Sequence, residues 1–78
     1  MANFNKLSTS EKYKLIRNKG HYIASRYHGS FHIHLYKIED LLTEVWTRVG
    51  LNQICWIEAT DHKVLESYAD HVKLNISF

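Results

Sequence analysis

The chain has no proline, three glycines and one cysteine in 78 residues. So little turn-breaking material argues against a long linker, a polyproline segment or general disorder. Cys55 has no second cysteine to pair with, so no internal disulfide can form, and this usage fits a reducing cytoplasm. No apolar stretch approaches the ~20 residues a membrane-spanning helix needs, so no membrane contact is expected. The segment 1–6 carries no apolar h-region, so no signal peptide is expected. Repeats and low-complexity tracts are also missing. What remains is ordinary globular material, with 45% hydrophobic and 23% charged residues, enough for one small domain over 1–78.

The net charge of +2 conceals a polarity. Residues 1–38 hold seven cations (Lys6, Lys12, Lys14, Arg17, Lys19, Arg26, Lys37) against one carboxylate, Glu11. Residues 39–78 hold three cations against seven carboxylates. Such asymmetry suits nucleic acid or a second copy of the chain. It is equally met if the two halves lie side by side and neutralise each other.

Ser8-Thr9-Ser10-Glu11 has the form of a capping box, with Ser8 as N-cap. A helix is expected to run to Lys19, with Tyr13, Leu15 and Ile16 on its apolar side, Lys12, Lys14, Arg17 and Lys19 on a solvated side, and Gly20 as a left-handed stop. Residues 21–28 and 30–38 then alternate in polarity around Gly29, the pattern of a β-hairpin. A two-residue Gly29-Ser30 loop would set Arg26 beside Ile33. A three-residue loop, Tyr27-His28-Gly29, gathers Ile23, Ser25, Phe31, Ile33 and Leu35 on one face instead, and is preferred on that ground. Residues 41–49 fit both periods: Leu41, Leu42, Val45, Trp46 and Val49 fall at helical spacing behind Asp40, yet the stretch also reads as a strand. Gly50 and Asn52 mark a turn, and residues 54–58 form a β-rich strand. Thr60 or Asp61 is expected to cap a second helix with a stripe of Val64, Leu65, Tyr68, Ala69 and Val72. Leu74, Ile76 and Phe78 alternate in an extended tail.

Several short stretches resemble a group of small proteins of Bacteroidetes-type bacteria that carries no assigned function. They are Glu11-Lys12-Tyr13, Gly20-x-Tyr22-Ile23-Ala24-Ser25-Arg26, Leu35-Tyr36, Glu44-Val45-Trp46 and Ile54-x-Trp56-Ile57-Glu58. Members of that group tend to read Phe-Tyr-Val-Glu-Val-Trp where this chain has Leu41-Leu42-Thr43-Glu44-Val45-Trp46. The resemblance therefore implies a strand over 41–48. This chain departs from the pattern at Leu41, Leu42 and Thr43.

The expected architecture is α+β in the order α-β-β-β-β-α: a four-stranded antiparallel meander sheet with two helices on one face. Its core face would hold Ile23, Phe31, Ile33, Leu35, Val45, Cys55 and Ile57. The other face would gather Tyr22, Arg26, His32, His34, Tyr36, Glu44, Trp46, Arg48, Ile54, Trp56 and Glu58. Aromatics mixed with arginine have the composition of interface hot spots. Tyr22, Arg26, His32, His34, Tyr36, Trp46, Arg48 and Trp56 are thus the candidate interface, most simply of a homodimer, with an unidentified protein partner as an extension and cover by the tail as the intramolecular alternative.

No catalytic residue and no cofactor fingerprint emerges. His32-x-His34 has ligand-like spacing for a metal or small ligand. Zinc needs at least three protein ligands, however, and Glu44 and His28 are only loosely placed candidates, so no bound metal is expected. Cys55 on a core face would behave as a small hydrophobe rather than a nucleophile. Asp61-His62 and Asp70-His71 are neighbours that do not face each other on a helix. Nucleic-acid binding through the basic helix would need aromatics beside it, and the expected architecture separates the two, so nucleic acid is an alternative partner only, through single strands stacking on the sheet aromatics, alongside a metal or small ligand at His32 and His34. The sequence therefore points to a non-enzymatic interaction module in the cytoplasm.

Overall fold

A computed structural model describes residues 4–51 and 53–69. Asn52, Asp70, His71, Val72 and the tail with Leu74, Ile76 and Phe78 lie outside the described residues. The fold is α+β. After a 3₁₀ turn, Phe4–Lys6, come α1 (Thr9–Lys19), β1 (Gly20–His28), β2 (Phe31–Ile38), β3 (Leu41–Arg48), β4 (Gln53–Thr60) and a 3₁₀ helix, His62–Tyr68. The four strands pair antiparallel in the order β1-β2-β3-β4.

Local chemistry sets most of the boundaries. The Ser8 hydroxyl accepts from the Glu11 backbone N–H at 3.1 Å, and the Glu11 carboxylate accepts from the Ser8 N–H at 3.0 Å. This closes the expected capping box and holds the Glu11 carboxyl below its usual range. Residues 41–48 are a strand, the extended alternative of the two periods that the sequence fits. Asp61 starts the second helix by accepting from the Lys63 N–H at 2.9 Å.

Gly20 plays a different part from the left-handed stop expected of it. Its φ of −79° and ψ of 143° are extended, and it opens β1 directly. A Cβ there would lie 2.5 Å from the Ile16 carbonyl oxygen, so glycine is needed for the tight approach of helix and strand. The β1–β2 hairpin likewise turns through two residues, Gly29-Ser30, not three: His28 pairs with Phe31, and Gly29 takes a φ of +60°. Arg26 therefore pairs with Ile33, the arrangement disfavoured from sequence. A bulge at Ile23 then shifts the register, so Tyr22 pairs with Tyr36.

The second helix does not share α1's face. One core cluster, Phe4, Ile16, Ile38, Val45 and Ile57, lies between the sheet and α1. The other, Ala24, Leu35, Leu42 and Tyr68, lies on the opposite face beneath the 3₁₀ helix, with Val64 and Leu65 against it. Opposed strands alternate their side chains between these two faces. Lys12 also leaves the solvated side expected of it. Its Nζ donates to the Ile57 carbonyl at 2.7 Å, and Asn5 Oδ1 accepts from the Ala59 N–H at 2.9 Å. Both contacts cap outward-pointing backbone groups of the edge strand β4.

Candidate functional site

The register divides the expected interface between two faces. Ile33 pairs with Trp46 and Trp46 with Trp56, and Phe31 pairs with Arg48. Arg26, Trp46, Arg48 and Trp56 therefore share the face carrying the 3₁₀ helix, together with Glu44, Glu58, Ile33 and Phe31. Tyr22, His32, His34 and Tyr36 lie on the α1 face with Thr43, Val45 and Ile54. One continuous aromatic surface becomes two smaller ones. Ile33 and Phe31 move off the face expected to hold the α1-side core. Cys55 also leaves it: a second bulge at Cys55 separates the Trp46–Trp56 pair from Thr47–Ile54, and its side chain is exposed.

The tryptophan face is built around a stacked pair. Trp46 and Trp56 have ring centroids 4.6 Å apart at 20°. Phe31 sets its edge against both, at 5.4 and 5.2 Å, and the Arg48 guanidinium lies 5.4 Å from the Phe31 centroid. Trp56 keeps 37% of its surface exposed. Three rows cross the two strands: Arg48 and Gln53, then Trp46 and Trp56, then Glu44 and Glu58.

Beside this patch is a buried polar network. Glu44 is 3% exposed, and its Oε2 accepts from Arg26 Nη2 at 3.1 Å, Arg26 Nε at 3.3 Å and the Tyr68 hydroxyl at 2.6 Å. The Arg26 guanidinium lies 5.5 Å from the Trp46 ring and 5.4 Å from that of Tyr68. Burial, with the Glu44 carboxylate beside it, pushes the Tyr68 hydroxyl well above the usual phenol range. The network joins β1, β3 and the second helix, and its partners satisfy one another.

The α1 face carries a different group. Tyr27 stacks on His32 at 4.3 Å and 8°, and His32 and His34 have centroids 4.3 Å apart. The Tyr22 hydroxyl is 3.4 Å from His34 Nδ1, and Tyr22 meets Tyr36 edge-on at 5.3 Å. Burial and then the nearby His32 hold His34 below the ordinary imidazole range. Among the described residues, no group of three or more His, Cys, Asp or Glu side chains is arranged to hold a metal ion. His32 and His34 border an open groove of about 520 Å³ with Tyr13, Tyr27, Arg48 and Ile54.

Sequence reasoning missed Tyr27, placed in a loop, and Tyr68, assigned only to an apolar stripe. Tyr27 had a signal in its alternation with Ser25, which continues to His28 once the turn has two residues. Tyr68 had none, because its partner Glu44 is remote in the chain. No protein-family model matches the chain, and no curated protein and no solved structure shows significant similarity to it. Among the described residues, no helix is long and apolar enough to cross a membrane.

Proposed function

We propose that the chain is a non-enzymatic interaction module that forms a homodimer through its tryptophan face. The observation carrying this reading is the order of rows around the Trp46–Trp56 stack, with cationic Arg48 on one side and Glu58 on the other. A two-fold axis parallel to the sheet, through the middle of the Trp46–Trp56 row and perpendicular to the line from Arg48 to Glu58, reverses the row order in the second copy. Tryptophan then meets tryptophan, and Arg48 of each copy faces Glu58 of the other. One patch is thus complementary to itself, as a two-fold contact requires. Aromatic rings flanked by arginine also supply the large, rigid apolar area that dominates interface energies. Glu44 and Arg26 are paired within the chain, so Arg48 and Glu58 are the charges left for this role. A solvent-exposed lone Cys55 supports a reducing cytoplasmic setting.

Sedimentation velocity over a concentration series tests the reading. The parent chain should sediment as a dimer, and Trp56→Glu should sediment as a folded monomer with an unchanged far-ultraviolet spectrum. Arg48→Glu should weaken the dimer, and adding Glu58→Arg should restore it. A parent chain that stays monomeric at the highest soluble concentration refutes it.

A further inference from the structure

β2 lies inside the sheet between β1 and β3, and it carries His32 and His34 on the α1 face. Pairing on both sides fixes its backbone, and the Thr47 hydroxyl donates to the His32 carbonyl at 2.7 Å as a further tie. Side chains two residues apart leave a strand roughly 6.6 Å from each other. These two imidazoles lean together instead of standing parallel, to 4.3 Å between centroids with their planes tilted by 51°. Each ring has its own support. Tyr27 stacks flat on His32, and the Tyr22 hydroxyl is 3.4 Å from His34 Nδ1. That contact leaves Nε2 of His34 without a partner among the described residues, and no hydrogen bond there engages either ring nitrogen of His32. Both rings are half-buried and border the open groove.

Two convergent imidazoles on a rigid strand form a chelating pair: once one nitrogen holds an ion, the second is already in place. The groove adds no competing charge. Its described lining residues include no carboxylate, and their one arginine, Arg48, turns its guanidinium onto Phe31 at the other face. Magnesium and calcium take oxygen ligands and find none of the usual carboxylates here. Zinc would need at least three protein ligands. Copper(II) and nickel(II) suit imidazole, stand high in the affinity order of divalent ions, and favour tetragonal geometry in which water can fill the remaining positions. We propose that His32 and His34 chelate a divalent ion of the copper–nickel class, with Tyr27 and Tyr22 holding the two rings in place. This site lies on the face opposite the tryptophan patch, so it stands or falls independently of dimer formation.

The experiment is calorimetric titration of the full chain with Cu2+, Ni2+ and Mg2+, joined to nuclear magnetic resonance of the histidine rings at substoichiometric Cu2+. Cu2+ should bind tightest, Ni2+ next and Mg2+ not at all. Paramagnetic Cu2+ should broaden the His32 and His34 ring signals before those of His21, His28 and His62. His32→Asn with His34→Asn should abolish the site. Either replacement alone should cost at least the roughly 10–100-fold that loss of a ligand's supporting contact costs. His62→Asn, on the helix of the opposite face, should bind like the parent. Circular dichroism shows whether each variant is folded. A folded double variant that binds Cu2+ as tightly as the parent means an adventitious ion only and overturns the proposal. So does broadening that begins at other histidines, and that pattern in the parent chain decides alone should the double variant not fold.

Discussion

Removing the Glu44 carboxylate should be among the most damaging single changes in the sheet. Its oxygen receives three hydrogen bonds, two from an Arg26 side chain that is only 15% exposed and one from Tyr68, which is fully buried. Glu44→Ala leaves a largely buried guanidinium without its counter-ion and a buried hydroxyl without an acceptor. Breaking one side of such a pair costs about 3–5 kcal/mol. A chain of this length has roughly 4–12 kcal/mol in total. Tyr68→Phe keeps the ring and removes only a hydrogen bond to a charged acceptor, for an expected loss of about 1.5–3 kcal/mol. Replacing both charges, Arg26→Met with Glu44→Leu, should recover most of the loss, because apolar substitution of a whole buried pair is often neutral. Urea titrations followed by circular dichroism supply the free energies for the cycle. The reasoning fails if Glu44→Ala unfolds within about 1 kcal/mol of the parent, or if the double replacement is no more stable than Glu44→Ala alone.

Gly20→Ala should lose about 1–3 kcal/mol in the same titration, since its Cβ would press on the Ile16 carbonyl and force α1 from β1. Glu39 holds a φ of 55°, and asparagine tolerates that region better, so Glu39→Asn should stabilise by up to about 1 kcal/mol. The exposed Lys19–Glu39 contact at 3.9 Å offsets little of this gain. His34 has a folded pKa below its reference value of 6.5, with His32 and the Tyr22 hydroxyl as the polar groups against it. Its protonation therefore favours the unfolded chain: its stabilising contribution is complete above about pH 6.5 and is lost as pH falls toward the folded value. Nuclear magnetic resonance titration should find the His34 ring below the free imidazole range, and His34→Gln should flatten the acid side of the stability profile.

Features set by neighbours in sequence were legible. Ser8 and Glu11 are one helical turn apart, and the cap follows from their chemistry alone. β3 was legible only in part, because Thr43, Val45 and Thr47 favour an extended chain while Leu41, Leu42, Val45, Trp46 and Val49 also fit a helical stripe. The facing of the strands was not legible, because it depends on the parity of each turn and on two bulges that leave no clear mark in composition. Sequence patterning disfavours the two-residue hairpin loop because it puts the Arg26 cation beside Ile33. That objection is sound for a hairpin in isolation. It disappears in the fold because Glu44 and Tyr68, 18 and 24 residues from their respective partners Arg26 and Glu44, complete the polar contact from other elements. Cys55 shows the same gap: alternation through a regular β4 points it inward, and one inserted residue leaves it exposed.

The caps on β4 work against edge-to-edge pairing at that side of the sheet. A protein with two open sheet edges can add copies at both and grow without end, as fibres do. Here Lys12 and Asn5 occupy hydrogen-bonding positions at Ile57 and Ala59 on one edge, so an incoming strand would first have to displace them. Those two contacts guard the part of the β4 edge around Ile57 and Ala59 against strand addition. The short segment around α1 thereby acts as an edge guard, fastened by one lysine and one asparagine.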